Sequence, residues 1–183
     1  MKGIKKYACV LAMVLTACSM FAQKYTTKTG NIKFEASVPS FEEVAAENKA
    51  ASAALDVSKG DIAVLALMKG FRFKVALMEE HFNESYAETD KFPKATFKGK
   101  IEGLDVAKLT AEGKSFTITG DLTMHGKTKK ITDTAMISRS GNAIIISGNF
   151  MVKPTDFDIE VPKLVSKKVA DQVKITYNFS LIK

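Results

Sequence analysis

The chain has 183 residues, of which 46% are hydrophobic, and a formal net charge of +7. This length suits one domain with a single hydrophobic core. The lysines are spread along the predicted polar strand faces and do not cluster on one element, which argues against a surface for nucleic acid.

The N-terminal residues have the layout of a secretory signal peptide. Three lysines precede an apolar run from Tyr7 to Leu15, which is too short to anchor the chain across a bilayer. We therefore predict a signal peptide over residues 1–22 and one barrel domain over residues 23–183. The mature protein is then periplasmic or secreted.

Two processing sites compete within this segment. Cleavage after Ala22 is favoured, because Met20 and Phe21 would form a poor polar tether behind a lipidated cysteine. The alternative is a lipoprotein-type site that leaves a lipid on Cys18 and associates the protein with a membrane. Both cysteines lie in this segment, so cleavage after Ala22 leaves a domain that its core must stabilise without disulfides.

Six stretches alternate apolar and polar residues with a period of two. Such alternation predicts an antiparallel sheet that is buried on one face. Glycine-containing turns at residues 58–60, 125–127 and 140–142 predict tight hairpins. The alternating stretches, of which the fourth is the least regular, are residues 32–38, 95–101, 116–124, 131–137, 144–152 and 173–181.

Two other stretches depart from this alternation. Alanines and a capping box formed by Ser40 and Glu43 make residues 41–55 helical by composition. If residues 50–54 instead form a strand, their small side chains leave open space inside a barrel. Residues 61–69 are apolar on both faces, so we expect a strand whose outer face is covered by a neighbouring helix or loop.

One helical stretch, from Leu77 to Glu84, stands among the predicted strands. Val75, Met78 and Phe82 recur at helical spacing, and Pro93 ends this pattern before the next strand begins. A helix in this position is expected to cross or cap one end of a barrel. Residues 162–169 are expected to form a last helical turn before the final strand.

Three segments of the chain together resemble the YceI-like family of periplasmic, lipocalin-like proteins. They are residues 77–99, the hairpin from Gly120 to Thr128, and residues 150–162 with Asp156, Phe157 and Ile159. The resemblance implies an antiparallel barrel around an elongated apolar lumen, in which some members bind polyisoprenoid or other long amphiphilic chains. It also prefers a short helix at residues 41–46 and a strand from Asn48 to Val57.

The fold class predicted from these features is mainly β. We expect an antiparallel eight-stranded lipocalin-like barrel with a short helix crossing or capping one end. If the apolar faces pointed outward, the same alternation would suit a small outer-membrane barrel. Glycines 99, 120 and 148 lie on apolar faces, where they provide either kinks in the barrel or room for a ligand.

The leading functional hypothesis is non-catalytic binding of a polyisoprenoid, a quinone-like molecule or a fatty chain in the lumen. The alternative is a structural or stress-protective envelope barrel whose core is filled by side chains. For each candidate lumen residue, ordinary core packing is the competing interpretation. The candidates are Phe34, Phe71, Phe73, Met78, His81, Phe82, Phe97, Ile118, Leu122, Phe150, Phe157 and Ile175.

The chain has two histidines, and neither has the surroundings of a catalytic or metal site in the sequence. His81 follows Glu79 and Glu80 without a spacing typical of zinc ligands, and neither histidine has a Gly-x-Ser-x-Gly partner. We expect His81 to bind a ligand head group or to cap the helix, and His125 to be a solvated hairpin residue. No enzyme activity, metal or cofactor is predicted.

Overall fold

The computed structural model describes residues 24–162 and 166–183. The predicted signal peptide and Cys18 lie outside the described residues. The strands are β1 (Lys24–Ser37), β2 (Ala45–Asp56), β3 (Asp61–Leu67), β4 (Arg72–Phe73), β5 (Lys94–Ile101), β6 (Lys114–Met124), β7 (Lys127–Ser140), β8 (Ala143–Val152) and β9 (Val169–Leu181).

Eight of these strands close into a barrel. The order around it is β1-β9-β8-β7-β6-β5-β3-β2, and pairing of β1 with β2 closes the ring, while the two-residue β4 adds to β2. Every pairing is antiparallel. The predicted fold, a closed eight-stranded antiparallel barrel with one short helix, is confirmed.

The helical elements are short. Helix α1 (Ala76–His81) continues as a π-helix (Phe82–Tyr86), and we call residues 76–86 the lid. None of the helices in the two described ranges has the length and apolar content needed to cross a bilayer. The 3-10 turns are Met68–Gly70, Val106–Lys108, Pro154–Phe157 and Ser166–Lys168, and the last of these falls within the helical turn expected at residues 162–169.

The alternation along the strands places apolar side chains inside the barrel. On β9, Phe179 and Leu181 are buried and Ile175 is half-buried. Lys174 and Thr176, the two neighbours of Ile175 in the chain, are exposed. Gly60, Gly126 and Gly141 have φ values of 73°, 74° and 58°, as the predicted hairpins require.

The short helix predicted at residues 41–46 is wrong. Residues 41–44 are not helical, and β2 begins at Ala45 and pairs along its length with β1. Local helix propensity is weak beside the backbone hydrogen bonds that close a barrel, so tertiary pairing overrides it here. The strand that the family resemblance preferred is present and begins three residues earlier than expected.

The expected cover over β3 is also absent from the described part of the chain. Ile62 and Ala66 face the interior, but Leu65 and Leu67 on the outer face are 36% and 58% exposed. The two outward leucines are therefore solvated surface residues.

The interior of the barrel has two different parts. In the filled half, the inward side chains are all at most 4% exposed and belong to one core cluster. In the hollow half, under the lid, most inward side chains on β6 to β9 are only half-buried, with Ile118 and Val152 the buried exceptions. The filled half comprises Ala51, Ala53, Leu55, Ile101, Ala135, Ile137, Ile144, Ile146, Phe179 and Leu181.

The inward alanines of β2 and the glycines on the interior faces do not leave open space. Ala51 and Ala53 belong to the filled half, and the ring of Phe179 lies against Gly30 beside Ala51. The Phe97 ring covers Gly99 and Gly120 in the same way, and Tyr177 covers Gly148. The room that these glycines provide is therefore taken by aromatic side chains, which is a recurring way of stabilising glycine in a sheet.

Candidate ligand-binding site

The hollow half contains a cavity of about 390 Å³. Its exposed surface is almost wholly apolar, and the lid contributes Met78, His81, Phe82 and Tyr86 to the lining. Further apolar residues line the cavity without joining the core cluster, and we call five of those on β6 to β9 the bare wall. They are Leu122, Ile131, Phe150, Val173 and Ile175, from strands β6, β7, β8 and β9.

A group of four phenylalanines closes the side of the cavity next to the lid. Phe82 of the lid is 5.3 Å from Phe34 of β1, 5.2 Å from Phe73 and 6.0 Å from Phe71, measured between ring centroids. Phe34 also contacts Phe71 and Phe73, each at 5.5 Å. Because these rings pack on one another, they do not reach across to the bare wall, and the space between them remains open.

Eleven of the twelve predicted lumen residues line this cavity. They are Phe34, Phe71, Phe73, Met78, His81, Phe82, Phe97, Ile118, Leu122, Phe150 and Ile175. Phe157 does not, because it is fully buried in the turn Pro154–Phe157, outside both the cavity lining and the core cluster. Ile118 and Phe71 are themselves buried, whereas the other nine are half-buried or exposed.

An ion pair holds the lid to the strand beside it. Glu79 of the lid accepts a hydrogen bond from Arg72 Nη1 through Oε1 at 2.6 Å, and its Oε2 accepts the backbone N–H of Phe73 at 3.1 Å. Both contacts lie next to the phenylalanine group. The lid is thereby held over the cavity by polar contacts outside it and by ring packing inside it.

The expectation that His125 is solvated is wrong. Its side chain is 10% exposed and its ring lies 4.3 Å from that of Phe92. Nδ1 donates to the carbonyl of Phe157 at 2.9 Å, and Nε2 is 2.9 Å from Glu88 Oε2. His125 therefore joins the β6–β7 hairpin to the segment after the lid and to the turn Pro154–Phe157.

His81 differs from His125 because it is exposed at the cavity mouth. It ends helix α1, whose C-terminal contacts are made by backbone groups, and its side chain has no hydrogen bond to the described residues. The expected helix cap is therefore not formed. Lys168 is a second basic side chain in the lining of the cavity.

The sequence analysis missed one polar pair in the cavity. Tyr177 of β9 donates a hydrogen bond from its hydroxyl to Asp133 Oδ2 of β7 at 2.7 Å. Burial raises the pKa of Tyr177 above its usual value, and the hydrogen bond to Asp133 acts in the same direction, so the phenol stays protonated. Asp133 could have been found as the one acidic residue at an inward position of residues 131–137.

The described residues offer no constellation for metal binding. Across residues 24–162 and 166–183, no three His, Cys, Asp or Glu side chains converge to hold a metal ion. Both ring nitrogens of His125 are occupied by Phe157 and Glu88, so this histidine is not placed to activate a serine. The site is an apolar cavity with a few polar groups at its floor and mouth.

A closed antiparallel barrel with an apolar cavity under a helical lid defines the class of ligand-binding β-barrels. Residues 20–181 match the family model described as the YceI-like domain. The chain belongs to the YceI-like family, which confirms the resemblance found in the sequence. A comparison with curated proteins finds no match.

Several solved structures have the same fold. A polyisoprenoid-binding domain from Saccharophagus degradans, implicated in plant cell wall breakdown, has a TM-score of 0.76 and 15% identity, with 87% of this chain and 98% of that chain covered. Burkholderia cenocepacia BcnA has a TM-score of 0.69 and 19% identity, with 84% and 96% covered. The Campylobacter jejuni YCEI protein has a TM-score of 0.57 and 18% identity, with 86% and 85% covered.

Proposed function

We propose that the protein is exported and binds a long apolar or amphiphilic chain in the cavity, without catalysing a reaction. The ligand classes that fit are a polyisoprenoid, a quinone-like molecule and a fatty chain. The observation that carries the proposal is the cavity of about 390 Å³ between the phenylalanine group and the bare wall. The polyisoprenoid-binding domain among the similar structures supports the same class of ligand.

The energetics favour a chain over a compact polar molecule. Transfer of about ten methylene units from water at roughly 0.8 kcal/mol each supplies about 8 kcal/mol before the entropic cost of binding. A net gain of that size would correspond to affinity near the micromolar range, and the entropic cost of binding lowers the affinity from that limit. The cavity therefore needs few polar contacts to retain a lipid, and the eleven predicted residues that line it are the proposed contacts.

The second candidate, a structural envelope barrel with a filled core, accounts for only part of the molecule. It describes the filled half, whose side chains are buried in one cluster. It does not account for Leu122, Phe150 and Ile175, which leave apolar surface open to a cavity far larger than a few water molecules. The hollow half therefore supports ligand binding.

Export and processing belong to the same proposal. We propose that residues 1–22 direct export and are removed by cleavage after Ala22, leaving a soluble periplasmic or secreted barrel. Lipidation of Cys18 is the alternative, and it would attach the same barrel to a membrane surface.

Mass spectrometry of protein purified gently from its native envelope tests both parts. Under native conditions we expect a complex heavier than the polypeptide by the mass of one chain-like lipid, which organic extraction releases. The denatured mass should correspond to a chain that begins at Gln23. Repeated recovery of an empty, folded protein would contradict the binding function. Detection of a lipid-modified Cys18 would contradict cleavage after Ala22 and support the membrane-anchored alternative.

A further inference from the structure

Asp133 and Tyr177 lie at the boundary between the two halves of the barrel. On β7, Asp133 follows Ile131 of the bare wall and precedes the fully buried Ala135. On β9, Tyr177 follows Ile175 of the bare wall and precedes the buried Phe179. The pair therefore forms a polar floor under an otherwise apolar cavity.

The floor is built to hold this pair. A side chain on Gly148 would place its Cβ 2.3 Å from the Tyr177 hydroxyl and 2.8 Å from Asp133 Oδ2, so only glycine leaves room for both groups. The Tyr177 ring stacks on Phe179 at 5.5 Å and contacts Phe150 at 6.2 Å. These ring contacts hold the Tyr177 ring, and with it the hydroxyl that bonds Asp133, in place.

The pair presents hydrogen-bond acceptors to the cavity. Asp133 Oδ2 accepts the Tyr177 hydroxyl, and Oδ1 accepts the backbone N–H of Thr134 at 2.7 Å. A carboxylate has about four acceptor sites, so these two bonds leave acceptor capacity, and the phenol oxygen adds more. The hydroxyl hydrogen of Tyr177 is already used by Asp133.

The carboxylate has no compensating cation within the described residues. No lysine or arginine of residues 24–162 and 166–183 forms an ion pair with Asp133, and the basic residues of the lining, His81 and Lys168, belong to the lid and to the turn before β9. A partly buried carboxylate without a cation is unfavourable unless it accepts hydrogen bonds. A ligand that donates a hydrogen bond to Asp133 would offset this unfavourable burial.

Building on the proposed function, we propose that Asp133 and Tyr177 recognise the end of the ligand that enters first. They bind an end that donates a hydrogen bond, such as a terminal hydroxyl, and they reject a carboxylate or phosphate end. A chain-like alcohol then binds with its polar end at the floor. An anionic amphiphile can bind only in the opposite orientation, in which its apolar tail lies against the polar floor, and it therefore binds less tightly.

Competition between two probes of equal chain length tests this assignment. We would measure displacement of the fluorescent probe N-phenyl-1-naphthylamine by 1-dodecanol and by dodecanoate at pH 8. Wild-type protein is expected to bind 1-dodecanol at least about tenfold more tightly than dodecanoate. In Asp133→Asn, which keeps an acceptor and removes the charge, we expect this ratio to fall about tenfold through tighter binding of dodecanoate.

The matched control is Asp61→Asn, which removes the same charge from an exposed position at the start of β3. It should leave the ratio unchanged. A wild-type ratio near one, or a ratio that Asp133→Asn does not alter, would overturn the assignment while leaving chain binding intact. Failure of the naphthyl probe and of both dodecyl compounds to bind would instead contradict the proposed function itself.

A second variant keeps the test decisive if Asp133→Asn does not fold. Tyr177→Phe retains the ring that stacks on Phe179 and frees one acceptor site on Asp133. We expect about threefold tighter binding of 1-dodecanol, with no gain for dodecanoate. An equal loss of affinity for both probes would mean that the pair serves only the packing of the barrel, and the assignment would be withdrawn.

Discussion

The filled and hollow halves of the barrel are made by the same strands and the same alternation, yet they pack differently. In the filled half, residues such as Ile146 and Leu181 are fully buried and meet in one cluster. In the hollow half, Ile175 and Phe150 occupy equivalent inward positions on β9 and β8 but remain half-buried. Side-chain size does not explain the difference, because the hollow half also carries large apolar residues.

The difference comes from what the large side chains pack against. The phenylalanine group of Phe34, Phe71, Phe73 and Phe82 packs on itself and on the lid, and so leaves the opposite wall uncovered. Empty apolar surface is unfavourable, since it forfeits both dispersion contacts and burial. A barrel that keeps such a surface on one side gives up stability there in exchange for a place where a ligand can bind.

The strongest test of this comparison is a pair of identical truncations, one in each half. Ile146→Ala should lower the free energy of unfolding by about 2–5 kcal/mol, because it opens a cavity in a closely packed core. Ile175→Ala should lower it by under about 1 kcal/mol, because that side chain already borders open space. Urea unfolding followed by circular dichroism measures both values.

Equal losses in the two variants would break the comparison. A large loss for Ile175→Ala would mean that the hollow half closes in solution and buries this residue as the filled half buries Ile146. Equal slopes of the unfolding free energy against urea concentration in the variants and in wild type are the condition for comparing the values.

A second test fills the hollow half without touching the filled one. Ile175→Trp places a large aromatic ring on the bare wall, so it should reduce affinity for 1-dodecanol at least about tenfold, which is about 1.4 kcal/mol. The expected change in unfolding free energy is smaller than for Ile146→Ala, since the added ring occupies open space. Displacement of the naphthyl probe gives the affinity.

The matched control for this variant lies one residue further along the same strand. Thr176→Trp adds the same ring to the exposed outer face of β9 and should change affinity by less than about twofold. If both tryptophan variants bind 1-dodecanol as wild type does, the ligand site is not in the hollow half.

The sequence predicted the barrel and much of its interior because both depend on local alternation. The period of two identifies which residues face inward, and the recurrence of Val75, Met78 and Phe82 identifies the lid. Alternation does not say whether inward residues meet across the axis. The division into two halves therefore required the three-dimensional arrangement of the phenylalanine group.

The missed features share a physical cause, which is that non-local contacts decide them. The short helix predicted at residues 41–46 is absent because pairing with β1 already begins at Ala45. His125 is buried by Glu88 and Phe157, which lie 37 and 32 residues away in the sequence. Asp133 interrupts the apolar alternation of residues 131–137. Its role follows only from its hydrogen bond to Tyr177, which lies 44 residues later in the sequence.

The smallest expected effect concerns the floor that separates the two halves, and it depends on pH. The folded-state pKa of Tyr177 is raised by burial and by the hydrogen bond to Asp133, so folding keeps the phenol protonated where the unfolded chain loses its proton. The stabilisation is fully present below about pH 10, the pKa of an unfolded tyrosine, and declines as pH rises above it.

The measurement is the difference in unfolding free energy between wild type and Tyr177→Phe from pH 9 to 11.5. Groups shared by the two proteins cancel, so any stability advantage of wild type should narrow above pH 10. The slope should stay under about 1.4 kcal/mol per pH unit, because that is the limit for one proton and the phenol is only partly buried. A constant difference would mean that the hydroxyl titrates alike in both states, and the polar floor would then not be as dry as the packing of Phe150 and Phe179 around it implies.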